Sequence, residues 1–371
     1  MAQSETSELD EYAATVRQYC RARMPDKTVA RPGVVRDADS ARTHWRALSS
    51  DLGVGTLLIP EELGGDGASL TEAGRVAEAL GAEVAAVPSL SAGVLAPVLL
   101  SALANGDEQS PAAELLRRLI AGEIVAVAWA DDDPGRAADA PLLGFDADRV
   151  TGSFRYVVDG DIADVLVLIG ARGEQIVAVE ARDLEITPRA SFDLTRGFAD
   201  VAANDTRAVD LARGSPARSA FERMLTAGRL AVAAECAGGA RAALDLAVDY
   251  AKQRVQFGRE IGSFQAIKHL LADAFVNAES ATSVARLAID AHVNDEPDAA
   301  ELVAAAAFYC ADRFVDVAAT GIQVHGGIAF TVECAAHLYR RRAESNRHIL
   351  GDPAQLRADY VTLLSTQEVG A

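Results

Sequence analysis

The feature that most constrains this chain is its last 155 residues. From Ala217 onward proline occurs only at positions 297 and 353, and Ala, Leu, Glu and Arg dominate. Between Ser219 and Arg254 apolar residues recur every three or four positions, which predicts one helix of about ten turns at 3.6 residues per turn. A helix that long cannot bury its apolar stripe alone. Ser263–Asn294 and Asp298–Thr320 repeat the texture, and Thr331–Glu344 and Ala354–Leu364 continue it. Together they predict an antiparallel helix bundle.

The segment before the bundle is built differently. From Glu123 to Pro216 short β-rich runs (Ile124–Trp129, Arg155–Val158, Asp164–Ile169, Gln175–Val179, Leu184–Thr187) are separated by Asp, Gly and Pro. That spacing predicts a small β-barrel or sandwich, taken here as a barrel. The first 122 residues are helical in pattern. Asp39–Leu52 is amphipathic, and Ser69 with Glu72 forms a capping box. Between them, Ile59-Pro-Glu-Glu-Leu-Gly-Gly-Asp-Gly67 is too glycine-rich to be helical throughout. The expected fold is therefore an N-terminal helical domain (1–122), a middle β-barrel domain (123–216) and a C-terminal antiparallel bundle (217–371).

Composition excludes some function classes. With 35 Lys and Arg against 54 Asp and Glu, the net charge is −19. Binding a nucleic acid needs a basic surface, so none is expected as partner. The four cysteines at 20, 236, 310 and 334 are far apart and form no metal-ligand spacing, which fits a reducing cytoplasm. The polar, acidic start does not read as a signal peptide. Residues 84–106 carry no charge, but Pro88, Gly93, Pro97 and three serines interrupt them. A buried helix is expected there rather than a membrane span.

Two motifs carry chemistry. In Arg254-Val-Gln-Phe-Gly-Arg-Glu-Ile-Gly-Ser-Phe-Gln265, a long helix ends, two glycines turn the chain and a new helix opens. A guanidinium, a ring and an amide are thus brought to one corner. Arg254 suits a phosphate, Phe257 a flat ring, and Gln265 a polar edge. A plain helix–helix corner with an exposed Arg explains the same residues equally well. The second motif is Gly321-Ile-Gln-Val-His-Gly-Gly327. Its paired glycines let backbone approach a ligand, and its alternative is a helix cap with a buried glutamine.

Together these motifs resemble the acyl-CoA dehydrogenase family, whose bundle carries R-x-x-F-G-x-x-I-x-x-F-Q and Q-x-x-G-G. Pro60-Glu-Glu-Leu-Gly-Gly, Tyr250-Ala-Lys-Gln-Arg, Ala266–Asp273 and His337-Leu-Tyr-Arg340 match as well. The resemblance covers nearly the whole chain. It implies FAD held between subunits, with Arg254, Gln256, Phe257 and Gln265 at the diphosphate and adenosine end of a neighbour's flavin. Gln323, Gly326 and Gly327 would line the same region. It further implies an acyl-CoA substrate with Arg229 matching a family arginine on the substrate side, an electron-accepting flavoprotein, and a homo- or hetero-oligomer.

The sequence departs from that pattern where the reaction needs a base. A carboxylate must take the α-proton of the thioester. At the two positions that supply it, this chain has Gly228 and Leu350. Glu222, Glu235, Glu333 and Asp352 are nearby acids. Only Glu235 and Asp352 are weak candidates, with a core-polar role and an N-cap as their alternatives. The T-E-P-x-x-G-S and W-I-T segments that cover the flavin ring correspond to 131–137 and Arg155–Asp159, where those side chains are missing. Three aspartates at 131–133 would repel a diphosphate. Members in steroid side-chain degradation are heteromeric, with one subunit completing the FAD site of the other, and this chain resembles that completing subunit. A self-sufficient dehydrogenase with a displaced base and a non-catalytic binding protein are the alternatives.

Overall fold

The computed structural model describes residues 2–24, 36–129, 144–146 and 148–368. Five helices come first: α1 (Ala2–Arg23), α2 (Ala38–Leu52), α3 (Leu70–Ala82), α4 (Ala96–Ala104) and α5 (Pro111–Ile120). Local chemistry starts them. Asp37 accepts from Ser40 N at the head of α2, and the capping box at the head of α3 forms, with Ser69 N donating to Glu72 at 2.9 Å. The uncharged stretch is a π-helical turn, Ser91–Leu95, running into α4 and buried within the protein. Among the described residues no helix is long and apolar enough to cross a membrane.

The middle zone holds β1 (Val125–Trp129), β2 (Gly144–Asp146), β3 (Arg149–Val158), β4 (Val165–Ile169), β5 (Gln175–Glu180), β6 (Glu185–Arg189), β7 (Phe198–Arg207) and β8 (Val209–Arg213). The expected barrel is not there. Among the described residues the strands form two separate four-stranded sheets, ordered β1-β4-β5-β8 and β2-β3-β7-β6, so the middle layer is an open sandwich. The physical reason is the two-faced burial of the first sheet. Ala126, Leu166, Leu168, Val177 and Val179 pack toward Phe154, Val157 and Val201 of the second sheet. Their neighbours Val125, Val127, Val165, Val167 and Ile176 pack into the core shared with the helices. With helices on one face and a sheet on the other, the first sheet has no need to close on itself.

The C-terminal bundle begins with the 39-residue helix α6 (Ser215–Gln253). It starts four residues earlier than predicted because Pro216 fits the first turn, where no intrahelical N–H is required. A two-residue hairpin, β9 (Val255–Gln256) and β10 (Arg259–Glu260), leads to α7 (Gln265–Val293), α8 (Ala299–His325), α9 (Ala336–His348) and α10 (Pro353–Glu368). On α7 the residues Ala274, Ala278, Ala281, Ala285 and Ala288 are all buried at three- and four-residue spacing. Small side chains along that stripe bring α7 close to Ala306, Cys310 and Ala311 of α8. That is why the chain builds a large core with few aromatics. One apolar cluster runs from Ile59 through both flanking zones to Leu350.

Candidate functional site

The first motif forms a projecting corner. Arg254 ends α6, its N–H donating to Tyr250 O at 2.9 Å. Phe257 and Gly258 both take positive φ, +54° and +76°, as a two-residue hairpin turn requires. A bulky aromatic in that conformation is uncommon and costs energy. Phe257 is nevertheless 94% exposed, steadied by an edge contact with Phe264 at 6.2 Å. Arg259 stacks on Phe264 at 4.0 Å, and Ile261 N donates to Arg254 O at 2.8 Å, closing the loop. Gln256 Nε2 turns back onto Val255 O. Arg254, Gln265 and Gln323 are exposed, and among the described residues their side chains make no hydrogen bond or ion pair.

The second motif reaches the same place. His325 stacks on Tyr250 at 4.5 Å and donates from Nδ1 to Gly321 O at 2.7 Å. Ala247, Ala251 and Val324 pack together with Tyr250, Ile261, Ile267 and Leu271. The end of α8 is thereby fixed beside the end of α6. A Cβ built on Gly326 or Gly327 would meet nothing within 4 Å, so backbone lies open there. A guanidinium, two amides, an exposed ring and open backbone therefore share one end of the bundle. This donor set fits the anionic and adenine parts of a dinucleotide.

Elsewhere along α6, Gly228 and Leu350 lie against each other. A Cβ on Gly228 would stand 2.6 Å from Leu95 Cδ2 and 3.1 Å from Leu350 Cδ1. Leu95 and Leu350 are both buried, so among the described residues this spot is filled by apolar side chains. Arg229, next on α6, is half-buried.

Glu235 lies two turns further along and is 5% exposed. It accepts from Arg196 (2.8 Å), Arg342 (2.7 Å) and Asn346 (3.0 Å), while Arg342 also pairs with Asp193 at 3.0 Å. Two guanidinium groups meet two carboxylates, so the buried cluster is neutral. Burial works to raise the Glu235 pKa, but Arg196 and Arg342 outweigh it and hold the group at about 2. Asp352 is exposed and caps α10, accepting from Ala354 N at 2.8 Å and Gln355 N at 3.2 Å. Glu222 and Glu333 are exposed. In this geometry Glu235 is a member of a buried ion cluster and Asp352 an N-cap. As a base, Glu235 would also have to give up two arginines.

Between the middle sheets and α9 opens a cleft of about 600 Å3, lined by Trp129, Tyr156, Ser191, Phe192, Ser345 and Ile349 among others. Ser345 Oγ is buried without a hydrogen-bond partner. The cleft is walled by Arg155–Val158, one of the two stretches matched to the ring-covering segments. The other, 131–137 with its three aspartates, lies outside the described residues.

With this geometry in place, comparison with known proteins is decisive. The chain is 34% identical over 326 residues, 88% of each protein, to "Acyl-CoA dehydrogenase IpdE2" of Mycobacterium tuberculosis. Family models for the acyl-CoA dehydrogenase N-terminal and C-terminal domains match residues 6–123 and 218–358. The chain belongs to the acyl-CoA dehydrogenase family. Its fold is also that of the ChsE4-ChsE5 complex from Mycobacterium tuberculosis (27% identity, TM-score 0.81, 96% of this chain and 97% of that one). A steroid ACAD variant, Tcur3481-Tcur3483, shares the fold at 24% identity, with TM-score 0.81 over the full length of both chains.

Within this family member, sequence reasoning missed the ion cluster and every cleft wall except Arg155–Val158. Arg196, Asp193, Arg342 and Asn346 lie far from Glu235 in the chain. The only signal was the run Arg340-Arg341-Arg342 beside Leu338, Tyr339 and Ala343. Arg213 and Arg218, on either side of Pro216, pair with Asp210 and Glu174.

Proposed function

We propose that this chain is the non-catalytic partner subunit of an FAD-dependent acyl-CoA dehydrogenase, completing the FAD site of a second, similar subunit. In the reaction assigned to the pair, a carboxylate of the other subunit removes the α-proton of an acyl-CoA. The flavin supplies a two-electron acceptor for the β-hydride, and the product is the 2-enoyl-CoA. An electron-accepting flavoprotein then reoxidises the pair, in the cytoplasm. This chain contributes the corner: Arg254 to the diphosphate, Phe257 and Gln265 to the nucleoside end, with Gln256, Gln323, Gly326 and Gly327 around them. Arg229 is assigned to the substrate side.

The observation that carries this reading is the contact of Gly228 with Leu95 and Leu350, which leaves both base positions apolar and filled. Arg254 lies 26 residues beyond Gly228, just past the end of α6, about 39 Å at 1.5 Å per residue, so the corner is remote from the two apolar base positions. The similarity to a heteromeric complex supports a partner that is itself a family member. A second reading, a self-sufficient dehydrogenase, is favoured only by the open cleft at Trp129 and Ser345.

Expression alone and co-expression with a family member that carries the glutamate separate the two readings. The chain alone is expected colourless, and the complex yellow with one flavin site per pair. A yellow homo-oligomer that oxidises acyl-CoA by itself would overturn the proposal.

A further inference from the structure

A second buried ion group lies where the N-terminal helices meet the end of β3. Arg36, just before α2, bonds two carboxylates, Asp159 at 2.7 Å and Asp161 at 2.8 Å, and none of the three side chains is more than 2% exposed. Asp159 uses both its oxygens, because Ser91 on the π-helical turn donates to the second at 2.7 Å. Asp161 uses one. Among the described residues its Oδ2 is buried without a hydrogen-bond partner. Gly197 covers the pair closely: a Cβ there would stand 2.3 Å from Asp161 Oδ1 and 2.4 Å from the Arg36 guanidinium.

Charge does not balance at this joint. One guanidinium faces two carboxylates, and the adjoining cluster has no cation to spare, since Arg196 and Arg342 already match Glu235 and Asp193. The elements packed on the 159–162 loop supply none either. β1 has no charged residue, Arg189 of β6 holds Asp200 of β7, Arg42 of α2 holds Asp164, and the head of α2 adds only the acids Asp37 and Asp39. Two carboxylates sharing one buried cation cannot both stay charged at low cost, and the one with an unbonded oxygen loses least by taking a proton. Burial foremost, with the charge of Asp159, raises the Asp161 pKa above its ordinary 3.8 against the pull of Arg36.

We propose that this joint is a pH-sensitive latch, in which Asp161 takes up a proton as the pH falls and the protonated form ties β3 most firmly to the N-terminal helices. β3 walls the cleft with Arg155–Val158 and is followed directly by Asp159, so the proton sets how firmly that wall is held. The latch involves neither flavin nor a second subunit, and its test stands apart from the partner-subunit reading.

A raised native pKa gives stability that is complete below the unfolded value and is lost as the pH rises through the native one. Urea unfolding of the full-length chain between pH 4 and pH 8 therefore tests the latch. Asp161→Asn cannot ionise, so the ratio of its folding constant to that of the wild type is expected to rise with pH, by up to about tenfold per pH unit, and to level off where native Asp161 has ionised. A ratio that stays flat or falls over that range overturns the proposal. Hydrogen exchange at residues 159–163, compared at equal pH, is expected to be faster in the wild type than in Asp161→Asn at pH 8 and to converge toward pH 4. No difference there at pH 8 also overturns it. Should Asp161→Asn fail to fold, Asp159→Asn decides. It removes the like charge and leaves Arg36 to Asp161 alone, so its ratio to the wild type must rise with pH as well, and a flat ratio counts against the latch.

Discussion

Glu235 shows how a residue chosen from sequence for chemistry serves architecture instead. Its position on the inward side of α6 was legible from helical periodicity. Its partners were not, because Arg196 is 39 residues away and Arg342 107. With its pKa held at about 2, below the ordinary 4.5, Glu235 stabilises the fold above pH 4.5. That contribution is lost as pH falls from 4.5 through about 2. Glu235→Gln leaves Arg196 and Arg342 without their carboxylate and is expected to cost about 3–5 kcal/mol in denaturant unfolding at pH 7. The deficit should shrink as the pH approaches 2; a constant deficit across that window would contradict the ion-pair account. Gly228 gives a second prediction at this scale. Gly228→Ala must push Leu95 or Leu350 aside and should cost about 1–3 kcal/mol. Combined with Leu350→Ala the cost should be less than additive, because the same space is being contested. That positions 228 and 350 carry no carboxylate was readable from two letters of sequence. That the two positions touch each other, with Leu95 as the third member, required the fold.

At the scale of elements, the hairpin between α6 and α7 sets stability against binding. Phe257 occupies a left-handed conformation that glycine or asparagine would adopt with less strain, and it exposes nearly all of its ring. Phe257→Gly is therefore expected to leave the melting temperature of the lone chain unchanged or slightly raised, while lowering flavin retention in the complex. Equal loss of stability and flavin would make the ring a folding element and remove it from the site. The hairpin was legible as a corner because both glycines and the flanking helices mark it locally. α7 and α8 were legible for the same reason: alanine at every third or fourth position is a local signal of a buried stripe. The choice between barrel and sandwich was not legible. β1 pairs with β4 in parallel, 40 residues on, and nothing in the strand runs says whether the first sheet closes. What decides it is helical burial of its other face, a contact between zones that no local pattern contains.

For the whole molecule, the net charge of −19 makes an unpartnered arginine informative. Carboxylates outnumber guanidinium and ammonium groups, and most arginines on this surface hold one. Arg254 stays exposed and unengaged among the described residues. With no internal partner, Arg254→Ala should change the unfolding free energy of the lone chain by no more than about 0.5 kcal/mol. In the complex the same substitution removes a charged hydrogen-bond donor from a phosphate, about 1.5–3 kcal/mol, or about 10- to 150-fold in flavin affinity. Flavin retained by the co-expressed complex after dilution measures it. A cleft substitution makes the contrast, because none of the corner's residues lines the cleft. Ser345→Trp, which fills the cleft, should leave the partner's flavin bound while Arg254→Ala releases it. If Ser345→Trp bleaches the complex and Arg254→Ala does not, the flavin is held by this chain's own cleft and the division of labour runs the other way. The two substitutions thus read, in one colour measurement, whether the corner or the cleft of this chain holds the flavin of the pair.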